Sequence, residues 1–170
     1  YPPGRVNVRL AWSRPGGRFC RAAVAVTAAI ALLAACSGGG SGRLSKPEYV
    51  RRAEAICRRL NKKAGAVPEP DQHEPTSQAK AIGEIAKIQR AGVDELRRLR
   101  PPEADQATID KWLGLVDQTI DQLQAVRAAL KAGDGVTITR ADDKGRALSA
   151  QADKIARGYG LDQCSATESP

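Results

Sequence analysis

Few side chains in this chain could do chemistry near neutral pH. There are four cysteines (Cys20, Cys36, Cys57 and Cys164), one histidine (His73) and no methionine. A thiolate can attack, ligate or pair, and an imidazole can move a proton at neutral pH. His73 stands between Gln72 and Glu74 in a segment broken by Pro68, Pro70 and Pro75, which reads as an exposed, inert loop position. Any nucleophilic triad would have only that loop residue to draw on. No Cys-x-x-Cys, Cys-x-x-Cys-His or Glu-x-x-His spacing occurs, so redox dithiol, covalent haem and di-iron sites are not expected. The acid pairs Asp94-Glu95 and Asp142-Asp143 could flank a reacting bond, and Asp117 and Asp121, one turn apart, could hold a weakly bound cation. On helices such residues read first as solvated faces. The expectation is no catalytic residue, no metal ligand and no cofactor.

Charge is unevenly spread over the 170 residues. The net charge is +8, but Arg5, Arg9, Arg14, Arg18 and Arg21 precede residue 22 with no acid among them. Residues 36–170 hold the other 22 cations against 19 acids, or +3. With aromatics at only 4%, neither a basic body nor a stacking platform is present, and a nucleic-acid partner is not expected.

The basic start leads into an apolar run, Ala22 to Ala35, whose only polar residue is Thr27. As a helix the run would span about 21 Å, against a hydrocarbon core of about 30 Å. It is short for a transmembrane helix and suits the core of a signal peptide. No Arg-Arg pair precedes it, which favours the general secretory route. The run closes on Leu33-Ala34-Ala35-Cys36, which resembles the lipobox of bacterial lipoproteins. The resemblance implies that residues 1–35 are removed, Cys20 with them. Cys36 then becomes the first residue, carries lipid on its sulfur and holds the protein on the extracytoplasmic face of the cell membrane. Residues 36–43, rich in Gly and Ser, read as a flexible tether reaching roughly 15 Å.

Residues 44–166 read as one helical domain, with 167–170 as a tail. Ser45 and Glu48 have the spacing of a capping box. Tyr49, Ala53, Ile56, Cys57 and Leu60 follow at helical spacing, and the helix stops near Gly65. A second helix is expected over 77–99, with Ile82, Ile85, Ile88, Val93, Leu96 and Leu99 inward, ended by Pro101-Pro102. A third is expected over 104–131, with Ile109, Leu113, Val116, Ile120, Leu123, Val126 and Leu130 inward and Trp112 beside them, closed by Gly133. The fourth is expected to begin at 137–139 with Thr139 and Asp142 as a weaker capping box, and to bury Ala141, Leu148, Ala152, Ile155 and Tyr159. No alternating run supports a strand. The expected fold class is all-α, an antiparallel four-helix bundle in which the first and fourth helices are neighbours.

Outside the cytoplasm two remaining cysteines in a small domain usually pair, so Cys57 and Cys164 are expected to form a disulfide. A wider resemblance rests on Tyr49-x7-Cys57, Leu99-Arg100-Pro101-Pro102 and Gly158-Tyr159-Gly160-Leu161-x2-Cys164. Together these resemble small, functionally uncharacterised lipoproteins and secreted proteins of actinobacteria. The resemblance implies a fold and a location, and brings no activity and no catalytic residue.

One surface feature stands out. Arg51, Arg52, Arg58, Arg59, Lys62 and Lys63 make the first helix basic against Glu48 and Glu54. That face is expected either to solubilise the helix or to meet anionic lipid or a wall polymer. The functional expectation is a non-enzymatic lipoprotein whose helical body binds an envelope protein, lipid or polymer. The alternative is a carrier with an apolar cavity between its helices.

Overall fold

The structure, a computed structural model, describes residues 42–165. The leader, the lipobox with Cys36, the tether up to 41 and the tail from 166 lie outside the described residues. Four helices follow in order: α1 (Lys46–Ala64), α2 (Pro75–Arg98), α3 (Gln106–Ala132) and α4 (Gly135–Tyr159). Two 3-10 turns, Glu103–Asp105 and Asp162–Cys164, precede α3 and follow α4. No strand occurs among the described residues. None of the described helices is long and apolar enough to cross a membrane.

Local signals explain most boundaries. Pro47 and Pro75 sit in the first turns of α1 and α2, where a missing N–H is harmless. α3 and α4 end at Gly133 and Gly160, whose φ values of +70° and +93° are left-handed. There Asp134 N–H closes back on the Ala129 carbonyl and Leu161 N–H on that of Ala156, which satisfies the open carbonyls of each last turn.

The two expected capping boxes are not made. Ser45 gives α1 no side-chain cap, and the Glu48 carboxylate that would close the other half of the box is bonded by Arg51 and Arg52. The cap of α4 is Asp134, whose carboxylate accepts from Thr137 N–H at 3.0 Å, so the helix starts earlier than expected. Thr139 instead donates its hydroxyl to the Gly135 carbonyl.

Neighbouring helices run antiparallel. Leu60 of α1 lies against Gly92 of α2 while Arg59 meets Glu95. Arg127 of α3 covers Gly83 of α2 while Arg90 meets Asp117 and Asp121. Gln122 of α3 lies over Gly145 of α4, and Asp105 before α3 reaches Tyr159 at the end of α4. In each pair the residue number rises on one helix as it falls on the other.

The expectation that α1 and α4 are neighbours is met through side chains at one end, where Tyr49 and Lys46 meet Tyr159, without close backbone packing along the two helices. Close helix packing is sequential, α1 on α2, α2 on α3 and α3 on α4. What rests on α1 is the Asp162–Cys164 turn. Gln163 N–H donates to Glu54 and Asn61 donates to the Gln163 carbonyl. The Cys57–Cys164 disulfide bonds the turn to α1 with 5.1 Å between the Cα atoms.

The core centres on α3. Ile109, Trp112, Leu113 and Ile120 are buried with Tyr49 and Ala53 of α1, Val93 and Leu96 of α2, and Ala152 and Ala156 of α4. A smaller cluster of Ala79, Val126, Leu130 and Ala141 closes the far end. The expected inward side of α2 is also corrected: Ile82, Ile85, Ile88 and Leu99 are half-buried, and the deepest positions are Ala79, Ala81, Gly83, Ala86 and Gly92 beside Val93 and Leu96. Small residues on α2 let Leu60 of α1 lie over Gly92 and Arg127 of α3 over Gly83. Among the described residues, every buried apolar residue and both bonded cysteines lie in this compact unit from Arg43 onward. It carries its own core.

The N-terminal end of α1 meets the C-terminal end of α4 through two tyrosines. Their rings stand edge-to-face at 6.0 Å. Tyr159 donates its hydroxyl to Asp105 at 2.7 Å, and Lys46 Nζ lies 4.3 Å from its ring centre. The Tyr49 hydroxyl is buried without a hydrogen-bond partner among the described residues. Burial, with the charge of Asp110, pushes that phenol up. Tyr159→Phe is expected to lose about 1 kcal/mol, while Tyr49→Phe is neutral or stabilising because it removes an unmet buried hydroxyl. Denaturant melts check the pair, and a larger loss at Tyr49 than at Tyr159 contradicts the argument.

Candidate functional site

The basic face of α1 divides into two groups. All six cations are exposed. Arg51 and Arg52 both bond Glu48, each at 2.7 Å, and Arg59 pairs with Glu95 of α2. Arg58 stands 3.8 Å from Glu54. Lys62 and Lys63 make no ion pair among the described residues.

Arg51, Arg52 and Arg59 share one side of a surface groove between α1 and α2, of about 480 Å³. Arg98 faces them from the end of α2, and the floor is Ala55, Ile56 and Leu99, with Glu95 the only carboxylate in the lining. The groove thus holds four guanidinium groups and one acid above an apolar floor. Arg58, Lys62 and Lys63 stay outside it. Arg98 was missed in the sequence, where it is one cation of the run 97–100. Only the antiparallel register of α2 on α1 brings it to Arg51 and Arg52.

Glu48 prearranges two of these cations. Hydrogen bonds from Arg51 and then Arg52 lower its carboxyl from 4.5 to about 2. A lowered value means that the pairing stabilises the fold fully above 4.5 and loses that contribution as pH falls through about 2. In a carboxyl-carbon NMR titration Glu48 is expected to titrate near 2 and to return to the ordinary range in Arg51→Gln/Arg52→Gln. A midpoint near 4.5 in the parent contradicts the geometry.

Of the other acids singled out in the sequence, Glu95, Asp117, Asp121, Asp142 and Asp143 are engaged by arginines, and Asp94 is exposed. Arg90 bonds Asp117 and Asp121, each at 2.8 Å, and Arg97 also pairs with Asp117. The conceivable cation site there is corrected to an inter-helix ion-pair network. Arg146 pairs with both Asp142 and Asp143. No group of three or more His, Cys, Asp or Glu that could hold a metal occurs among the described residues. His73 is exposed in its loop, its N–H held by Asp71.

A second groove, of about 460 Å³, lies between α3 and α4, where Lys111 and Lys154 flank Leu115, Ile155 and Tyr159. Both grooves are open to solvent. Neither groove is an enclosed apolar cavity, while Tyr49, Ile120 and Leu161 at the centre of the core are 0% exposed. Comparison with protein-family models, with curated proteins and with solved structures finds no match for this chain.

Proposed function

We propose that this protein is a lipoprotein held on the extracytoplasmic face of the cell membrane by lipid on Cys36, after removal of residues 1–35. Its disulfide-closed helical body is a non-enzymatic binding module for an anionic component of the envelope. The α1–α2 groove carries this reading, with four arginines over an apolar floor, of which Arg51 and Arg52 share Glu48, Arg59 pairs with Glu95 and Arg98 makes no ion pair among the described residues. Guanidinium groups present planar pairs of donors that match phosphate and carboxylate oxygens. The tether of Gly and Ser keeps the module beside the membrane.

Intact-mass analysis of the membrane fraction tests the anchor. The expected species begins at Cys36 with a diacylglyceryl group, and Cys36→Ala releases the protein from the membrane. A leader still joined to an unacylated Cys36 overturns it. The binding half is tested on a chain starting at residue 36 with Cys36→Ser. It is expected to bind anionic vesicles in a salt-sensitive way and to ignore neutral ones.

A further inference from the structure

We infer that the α1–α2 groove is a headgroup site for an anionic glycerophospholipid of the membrane that carries the tether, so that the body sits on that membrane through the end bearing Arg51, Arg52 and Arg98. The inference rests on the membrane-anchored reading above and adds the occupant, the residues and the orientation.

Three observations place the groove at the tether end. Leu44 N–H donates to the Arg100 carbonyl at 2.7 Å, and Arg43 donates to the Pro101 carbonyl and to Gln106 Oε1. Arg43, counted with the tether in the sequence, is therefore part of the folded body. The point where the body takes over from the tether is one residue from Leu99, which floors the groove. A Gly- and Ser-rich segment of the length of 36–42 has an r.m.s. reach of roughly 15 Å, so on the anchored reading this end of the bundle is the one held against a membrane.

Distance along α1 then selects among its cations. At about 1.5 Å per residue, Arg51 and Arg52 lie roughly 8 Å from the start of the helix, and Lys62 and Lys63 roughly 25 Å. The screening length at physiological salt is about 8 Å. A surface at the tether end is felt by Arg51, Arg52 and Arg98 and is screened from Lys62 and Lys63. Arg98 makes no ion pair among the described residues, so it is available to a phosphate oxygen. Ile56 and Leu99 give the first carbons below the phosphate an apolar surface. A phosphodiester joined to glycerol and acyl carbons satisfies both halves of the groove, as free phosphate would not.

The test uses the chain from residue 36 with Cys36→Ser, on vesicles of equal phosphatidylglycerol and phosphatidylcholine. Arg51→Gln/Arg52→Gln/Arg98→Gln is expected to weaken binding on the order of 100-fold, since each cation at an anionic surface contributes about fivefold. Lys62→Gln/Lys63→Gln is expected to change it less than about twofold. Monomeric dihexanoyl phosphatidylglycerol should shift the Ile56 and Leu99 methyl resonances, and glycerol phosphate alone should not. Equal binding by the triple variant and the parent overturns the site. Equal weakening by both variants also overturns it, leaving a diffuse basic surface and the anionic-binding reading intact. A soluble glycerol phosphate polymer that binds more tightly than the vesicles overturns the lipid occupant. A parent that binds no anionic vesicle overturns this inference and the binding-module reading together.

Discussion

Cys164→Ser lowers the melting temperature of the body on the order of 10–20 °C and frees the C-terminal turn from α1. The bond joins residues 107 apart in sequence. Opening a loop of that size returns up to about 4.7 kcal/mol of chain entropy to the unfolded state, with about 2–4 kcal/mol typical in practice. In a domain of roughly this size each kcal/mol moves the midpoint by about 4 °C. The topology raises the stakes. α1 packs closely on α2 and on the Asp162–Cys164 turn, with no comparable packing on α4. Without the bond, the turn is held to α1 by the hydrogen bonds of Gln163 to Glu54 and Asn61 and by packing around Leu161, which is 0% exposed. Calorimetry gives the midpoint. Hydrogen exchange is expected to show the added opening in α1 and in 160–165, with the centre of α3 least affected. A drop under about 3 °C would show that α1 needs no covalent closure.

Gly92→Ala destabilises the protein, while the same change at Gly114 stabilises it. A Cβ at Gly92 would stand 2.1 Å from Leu60 Cδ1, 2.9 Å from Cδ2 and 3.0 Å from Cγ. Rotating one methyl away does not relieve all three contacts, so α1 must move off α2 or Leu60 must leave the seam. Overpacking of this kind costs about 1–3 kcal/mol, against a helix-propensity gain of up to about 1 kcal/mol. The expected net loss is about 1–2 kcal/mol. At Gly114 a Cβ meets nothing within 4 Å, and only the propensity gain of up to about 1 kcal/mol remains. Leu60→Ala in the Gly92→Ala background should lose less than the two single changes added together. Urea melts of the five proteins decide the matter, and the argument fails if Gly92→Ala is as stable as the parent.

Gly92 also shows where sequence reading reaches its limit. In the sequence Gly83 and Gly92 are helix-weakening residues whose only visible role is their propensity penalty. In the folded chain Arg127 lies over one and Leu60 over the other. The isoleucines of α2 were the reasonable inward residues by size, yet close approach of the helices puts alanine and glycine deepest. Ser45 and Glu48 had the spacing of a capping box, yet Ser45 makes no side-chain cap and the Glu48 carboxylate bonds Arg51 and Arg52. Six cations on α1 read as one face, while their neighbours on α2 separate Arg51, Arg52 and Arg59 from Arg58, Lys62 and Lys63.

By itself the sequence determined the helical class, the approximate limits of all four helices, the inward stripes of α1 and α3, and the Cys57–Cys164 pair. These follow from the 3.6-residue period and from Pro and Gly punctuation, which act over a few residues, and from Cys57 and Cys164 being the two cysteines left when the lipobox reading sets Cys20 and Cys36 aside. Tertiary structure alone decided that the closest packing of α1 besides α2 is on a C-terminal turn, with α4 touched only at its end, and that Arg98 faces Arg51 and Arg52. It also decided that Arg43 belongs to the body and that Asp117 and Asp121 serve arginines. Each of these joins residues far apart in the chain, and the helix register that brings them together is set by the shapes of the packed side chains rather than by local propensity.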